Sequence, residues 1–218
     1  MRRVALAAPP GDGVRRAIAL IAAVAPAALL VLGASQVASG AWIHAKAALA
    51  QVLLERAWQH TIDGDARVRP WPWADTWPVA RLRLPRLDAS LIVLSGASGR
   101  TLAFGPGHTQ GSALPGEMGT SIVSGHRDTH FEVLRQVRRG DEMLVERADG
   151  AVMRYRVERL DVVDSRIMAL GAERDGRALV LVTCWPFDAL RPGGPWRYVV
   201  TARAADLPER RAAPRRSI

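Results

Sequence analysis

The sequence predicts a mostly β domain, a barrel or a sandwich, hung from an N-terminal membrane helix. Three observations predict it. Residues 17–35 form an uninterrupted apolar run. From Val79 onward, short segments rich in Val, Ile, Leu and Thr alternate with Gly and Pro turns. That second region carries only one convincing helical stretch, around residues 131–137. Many short strands with such punctuation read as all-β architecture.

The apolar run is long enough to cross a bilayer, and Pro26 is tolerable inside a membrane helix. Arg2, Arg3, Arg15 and Arg16 precede it, and the next charge is Lys46. The positive-inside rule therefore keeps the N-terminus in the cytoplasm and exports the chain beyond the run. The alternative is a cleavable signal peptide with Ala38-Ser39-Gly40 as its cleavage site. Between residues 41 and 60, Trp42, Ala45, Leu49, Val52, Leu53 and Trp58 recur mostly at threes and fours, which predicts an amphipathic stalk helix. Trp71-Pro72-Trp73 and Trp77-Pro78 then forbid a continuing helix and read as an extended entry to the main domain.

Strands are expected at 80–84, 89–94, 101–104, 120–124, 142–146, 152–163, 179–184 and 197–203, with Asp149-Gly150 as a hairpin turn. The resulting plan is a cytoplasmic start (1–16), an anchor (17–38), a stalk and linker (39–74), a catalytic domain (75–206) and a basic, disordered tail (207–218). The formal charge of +9 does not imply nucleic acid, because much of the excess sits at the two ends. Elsewhere arginines alternate with acids, as in Glu146-Arg147, the mark of solvated strand faces.

Cys184 is the only cysteine, which excludes an intrachain disulfide framework and a cysteine-rich zinc site. It ends the apolar strand 178–184 just before Trp185-Pro186, so it faces a loop, where catalytic groups are commonly displayed. A buried core cysteine is the competing reading. His126 follows another apolar strand through a single glycine. A thiol nucleophile needs such an imidazole to take its proton and return it to the leaving group. Taken alone, His126 could equally be structural. Acyl transfer also needs a fixed cation or donor where negative charge develops. Arg197 opens the last apolar strand, whereas Arg191 lies in a Pro-Gly-Gly loop and points to solvent on this reading. A zinc site from His126, His130, His108 and Cys184 is disfavoured, because the four-residue spacing presents both imidazoles together only on a helix. His108 and His130 are expected to be structural or groove-lining, and Asp128 to cap the short helix.

The segments together resemble one family. Thr183-Cys184-Trp185-Pro186 resembles the Thr-Leu-x-Thr-Cys-x-Pro signature of sortases, and Ser124-Gly125-His126-Arg127-Asp128 their Ala-Gly-His-Arg-Asp segment. The stretch from Phe104 to Gly116 and the block Pro195-Trp196-Arg197-Tyr198 complete four ordered matches over roughly residues 75–205. The Pro-rich entry and the Asp-Thr-His-Phe and Pro-Gly-Gly-Pro segments look most like the Gram-negative branch. Gly119-Thr120 departs from the usual Gly-Asn, and Trp185 stands where smaller or tyrosine-like residues are common.

The resemblance implies an eight-stranded sortase-type β-barrel with one or two short helices. It implies that Cys184 attacks a Leu-Pro-x-Thr-Gly-like sorting signal on a secreted protein, with no cofactor or metal. His126 would act as acid and base, and Arg197 would hold the oxyanion or the substrate backbone. Thr183 and Trp185 would border the substrate. An amine acceptor in the cell envelope would resolve the thioester. The N-terminal helix would contact membrane lipid, making a single-pass protein of the bacterial inner (cytoplasmic) membrane with its catalytic domain on the periplasmic or extracytoplasmic side. A related peptidase that hydrolyses the thioester, and a non-enzymatic tethered β-module, are the alternatives.

Overall fold

The computed structural model describes residues 12–167, 176–189 and 193–205, with the side chains of 14–18 and 20–22 left aside. Arg191, the tail from 207 and the first eleven residues therefore lie outside the described residues.

The chain divides into two compact units, residues 1–48 and 49–218. A single helix, α1 (Asp12–Ile62), supplies all that is described of the first unit and the beginning of the second. Within it, Ala23–Ile62 is apolar and long enough to cross a membrane. Its place near the N-terminus supports a single-pass anchor, with the remaining domain outside the cytoplasm. The helix runs unbroken to Ile62, with neither proline nor glycine between residues 41 and 62.

In the second unit α1 buries Ala50, Leu54, Ala57, Trp58 and Thr61, while Leu49 and Val52 are exposed. The buried stripe is thus offset from the expected one and shares only Trp58 with it outright. The buried stripe is itself apolar and spaced at threes and fours, with the large Leu54 and Trp58 side chains fully covered. Beside it Glu55 pairs with Arg81 of the first strand, and the Arg81 guanidinium lies 6.0 Å from the centre of the Trp58 ring.

Eight strands close a barrel in the order β1-β2-β3-β4-β7-β8-β6-β5. They are β1 (Pro78–Leu84), β2 (Ala89–Ser95), β3 (Gly107–His108), β4 (Gly119–Ser124), β5 (Glu142–Arg147), β6 (Val152–Asp164), β7 (Arg177–Cys184) and β8 (Trp196–Ala204). β1 closes against β5, pairing Leu82 with Val145. Alternate residues point inward, and Leu82, Val93, Val123, Met143, Val145, Met153, Leu179, Leu181 and Val200 fill the interior. Each such burial contributes about 1.5–3 kcal/mol. Phe131 and Leu134 cover one mouth from a 3₁₀ turn at Glu132–Gln136.

Two local expectations change. Residues 101–104 do not form a strand. Ser98 accepts a hydrogen bond from the Thr101 amide and starts the short helix α2 (Gly99–Leu102). The third strand is instead Gly107–His108, parallel to β2 and antiparallel to β4. A Cβ on Gly107 would meet the Gly96 carbonyl oxygen at 2.2 Å, so only glycine lets this segment slot in. The Asp149-Gly150 turn forms as expected, with Gly150 at φ 77° and Asp149 accepting from the Ala151 amide.

Candidate active site

The site is a consequence of strand register. β4 and β7 run parallel, with Ser124 beside Val182. Two residues further along the chain stand His126, just past the end of β4, and Cys184, the last residue of β7, so both lie at the same end of this parallel pair. β8 returns antiparallel on the other side of β7 and places Arg197 directly opposite Cys184. Directly opposed residues of an antiparallel pair share a face, with Cβ atoms about 4.5–5.5 Å apart. Leu179 and Leu181 face the core, so alternation turns Thr183 inward and Cys184, with Val182 and Arg197, outward.

Backbone contacts hold the His126 strand exit. The Gly125 amide donates to the Val182 carbonyl at 3.1 Å, and the Thr183 hydroxyl donates to the Gly125 carbonyl at 2.7 Å. Thr183 is only 2% exposed, so its hydroxyl is committed to this internal contact. A Cβ on Gly125 would stand 2.7 Å from the Phe131 ring, which explains why glycine precedes the histidine. The Phe131 amide in turn donates to the His126 carbonyl at 3.0 Å. Buried Arg127 reaches across and donates to the Ala189 carbonyl at 2.9 Å, tying the histidine loop to the segment after Cys184.

The side chains on this frame are accessible. Cys184 is a free, half-buried thiol and His126 is exposed. Arg197 uses one terminal nitrogen, Nη1, to donate to the Gly194 and Trp196 carbonyls at 2.7 and 2.9 Å. Its Nε and Nη2 donors have no partner among the described residues, so the guanidinium is oriented yet still able to donate.

His130 sits behind His126. Burial pushes its imidazole below the usual value. A hydrogen bond to the Ala103 carbonyl opposes that shift, and the charge of nearby His126 adds to it. His108 is buried, with its Nε2 engaged by the Ala113 carbonyl and Ser112 hydroxyl. Asp128 does not cap the following turn. That turn starts at Phe131 without a side-chain cap, because it is a 3₁₀ turn nucleated by ring burial.

Sequence reasoning missed a cleft on the barrel rim. Trp185 stacks on Tyr198 at 5.7 Å, and Phe187 meets both rings edge-on. With Arg135 and Asp188 these rings line a cavity of about 280 Å³, which Trp185 enters from the position after Cys184. Arg135 lies some fifty residues from the others in the chain, so no local motif joins them. The one available signal was the aromatic pair flanking Pro186.

The comparisons with known proteins agree with the fold. The Sortase domain model matches residues 82–205. The chain is 31% identical to Sortase D of Bacillus subtilis (strain 168) over 122 residues, which are 55% of this chain and 60% of that protein. The match therefore spans less than two thirds of that relative. Sortase A from Corynebacterium diphtheriae superposes with a TM-score of 0.55 at 26% identity, covering 73% of this chain and 86% of that one. A Clostridium perfringens Sortase D5 transpeptidase gives a TM-score of 0.53 at 21% identity, covering 70% and 89%, a likeness of fold.

These relatives overturn the expected Gram-negative branch, since Bacillus, Corynebacterium, Clostridium, Actinomyces, Listeria and Streptococcus are Gram-positive. The Asp128–Phe131 segment that suggested the branch lies in a turn and the Pro-rich entry mostly before β1, where composition drifts easily and fixes no lineage. The extracytoplasmic placement of the domain stands on the N-terminal apolar helix, and only its finer assignment to a periplasm loses its support. The family match runs from within the first barrel strand to the end of the last, and the chain therefore belongs to the sortase family.

Proposed function

We propose that the protein is a membrane-anchored transpeptidase acting outside the cytoplasm, with Cys184 as nucleophile, His126 as acid and base, and Arg197 as the electrostatic stabiliser. The observation that carries this reading is the register. Cys184 pairs directly with Arg197 across the antiparallel pair, and His126 follows the neighbouring parallel strand at the same end, which supports a shared site.

The Cys184 Sγ attacks the carbonyl carbon of a threonine-like residue in a Leu-Pro-x-Thr-Gly-type signal on a secreted protein. Arg197 donates to the oxygen as it gains charge, through the Nε and Nη2 groups its backbone contacts leave available. The C–N bond breaks, and the departing amine takes its proton from the His126 imidazolium, leaving a thioester. An envelope amine then attacks the thioester carbonyl and gives its proton to His126. The Sγ departs as the thiolate, and a new amide is released. Trp185 borders the reacting centre, and Thr183 serves it by fixing the Gly125 carbonyl.

The test is incubation of the detergent-solubilised full chain with a sorting-signal peptide and an amine, followed by mass spectrometry. The wild type should show a peptide adduct on Cys184 and an amide-linked product. Cys184→Ala and Cys184→Ser should show neither while keeping the wild-type melting temperature. Processing of the peptide by Cys184→Ala would overturn the assignment. Release of free acid alone, with every amine tried, would make the protein a peptidase.

A further inference from the structure

Cys184 is bordered by two surfaces of opposite character. On the outer strand face its neighbours are apolar: half-buried Ile122 and Val182, and buried Val180 and Val199. On the rim, one residue further along the chain, lies the cleft of Trp185, Phe187, Tyr198, Arg135 and Asp188. A donor peptide with leucine and proline side chains matches the first surface. The second surface matches something charged.

The rim cleft has two charges that the fold itself does not consume. Asp188 and Arg135 are both exposed, and neither has an ion-pair partner among the described residues. Arg135 is held over the Phe187 ring at 5.4 Å, which fixes a cation on one side of the cleft. Asp188 stands on the segment tied down by the bond from Arg127 to the Ala189 carbonyl. Between them lie the stacked Trp185 and Tyr198 rings, whose faces attract ammonium groups. The cleft thus offers a carboxylate and aromatic faces to an amine, and a guanidinium to an anion on the same molecule.

We propose that this cleft is the acceptor subsite, and that it selects a primary amine carrying a carboxylate a few bonds away. Asp188 and the aromatic faces receive the ammonium, and Arg135 pairs with the carboxylate. The acceptor then loses its proton to His126 as it reaches the thioester. This rests on the transpeptidase reading, and it makes Arg135 and Asp188 the residues that choose the acceptor.

The test uses the full chain in detergent, a sorting-signal peptide and three acceptors: Nα-acetyl-lysine, Nα-acetyl-lysinamide and hydroxylamine. Hydroxylamine is small and uncharged and needs no subsite, so it normalises for thioester formation. The wild type should favour Nα-acetyl-lysine over the amide. Arg135→Ala should lower kcat/KM for Nα-acetyl-lysine relative to hydroxylamine by about tenfold, through KM, as loss of one charge-assisted contact does. It should also erase the preference over the amide, and Arg135→Lys should restore part of it. Asp188→Asn should lower the same ratio for both lysine derivatives. If thioester forms and neither variant changes these ratios, the cleft is not the acceptor subsite. If the wild type forms no thioester with any signal peptide, the transpeptidase reading itself fails, and the acceptor assignment with it.

Discussion

The wall where β1 meets β5 and the rim where β4, β7 and β8 end use the same residue types to opposite effect. On the wall, charges are consumed. Arg81 pairs with Glu55 and lies 3.6 Å from Glu146, and Arg83 bonds Glu146 at 3.1 Å. Arg86 forms a two-pronged pair with Asp141. Burial alone would raise the Glu55 carboxyl, yet bonds from Arg81 and Gln59 outweigh it and hold the group below the usual range. The hydrogen bonds from Arg86 likewise hold Asp141 low.

On the rim, charges are positioned and left available. His126, Arg135 and Asp188 have no ion-pair partner among the described residues, and Arg197 donates only to backbone carbonyls. Their placement comes from the backbone: Gly125 against Phe131, Thr183 on the Gly125 carbonyl, Arg127 on Ala189. A side chain whose partner is another side chain serves stability. One held by its backbone keeps its polar atoms for a ligand.

The sharpest way to break this contrast is Arg197→Ala. If Arg197 stabilises developing charge, turnover should fall by about 10²–10³, as it does when oxyanion donors are removed. The melting temperature should stay within a degree or two of wild type, since only a surface contact is lost (about 0.5 kcal/mol). Arg191→Ala should remain within a few-fold of the parent in the same assay. Equal losses at the two arginines would remove the distinction.

Glu146→Ala inverts the expectation. Glu146 is only 5% exposed and faces both Arg81 and Arg83. Its removal leaves Arg83 without its acid while Arg81 keeps Glu55, and should cost about 1–2 kcal/mol in denaturant unfolding. Thioester formation at low temperature should continue. A large loss of rate with unchanged stability would refute the division of labour.

The smallest effect concerns His130, a rim residue with a structural role. Its folded-state value is depressed, chiefly by burial, so the unfolded chain takes the proton first as pH falls. The stability it contributes is complete above the ordinary imidazole value of 6.5 and is lost as pH falls through the depressed folded value. Melting temperatures measured across that interval should therefore decline toward acid, and His130→Gln should flatten the decline. An unchanged slope in the variant would show that His130 does not titrate this way.

Much of the barrel was legible because strands and turns are local events. The alternation in residues 142–146 and 152–163 and the Asp149-Gly150 turn between them foretell a hairpin that forms almost as expected. The strand-end positions of Cys184 and His126 were legible for a similar reason, since each sits where an apolar strand runs into Pro- or Gly-marked polar chain. The misreading at residues 101–104 had its correction in view: Ser98, three residues before Thr101, is a capping residue, and the cap outcompeted the short apolar alternation.

The amino-acid sequence by itself determined the apolar anchor run, most of the strand segments and the residue types that could carry acyl transfer, because these depend on hydrophobic periodicity and short-range backbone preference. Tertiary structure alone decided which residues meet. β3 has too few residues for any periodic signal and exists only because β2 and β4 offer it edges. Which face of residues 49–62 is covered, that of Ala50, Leu54, Ala57 and Trp58, depended on what the barrel wall offered it. The rim cleft joins Arg135 to Trp185 and Tyr198 only through barrel closure. Such contacts are set by strand register across distant parts of the chain, and register is fixed by the packing of the whole core, which no local stretch of sequence contains.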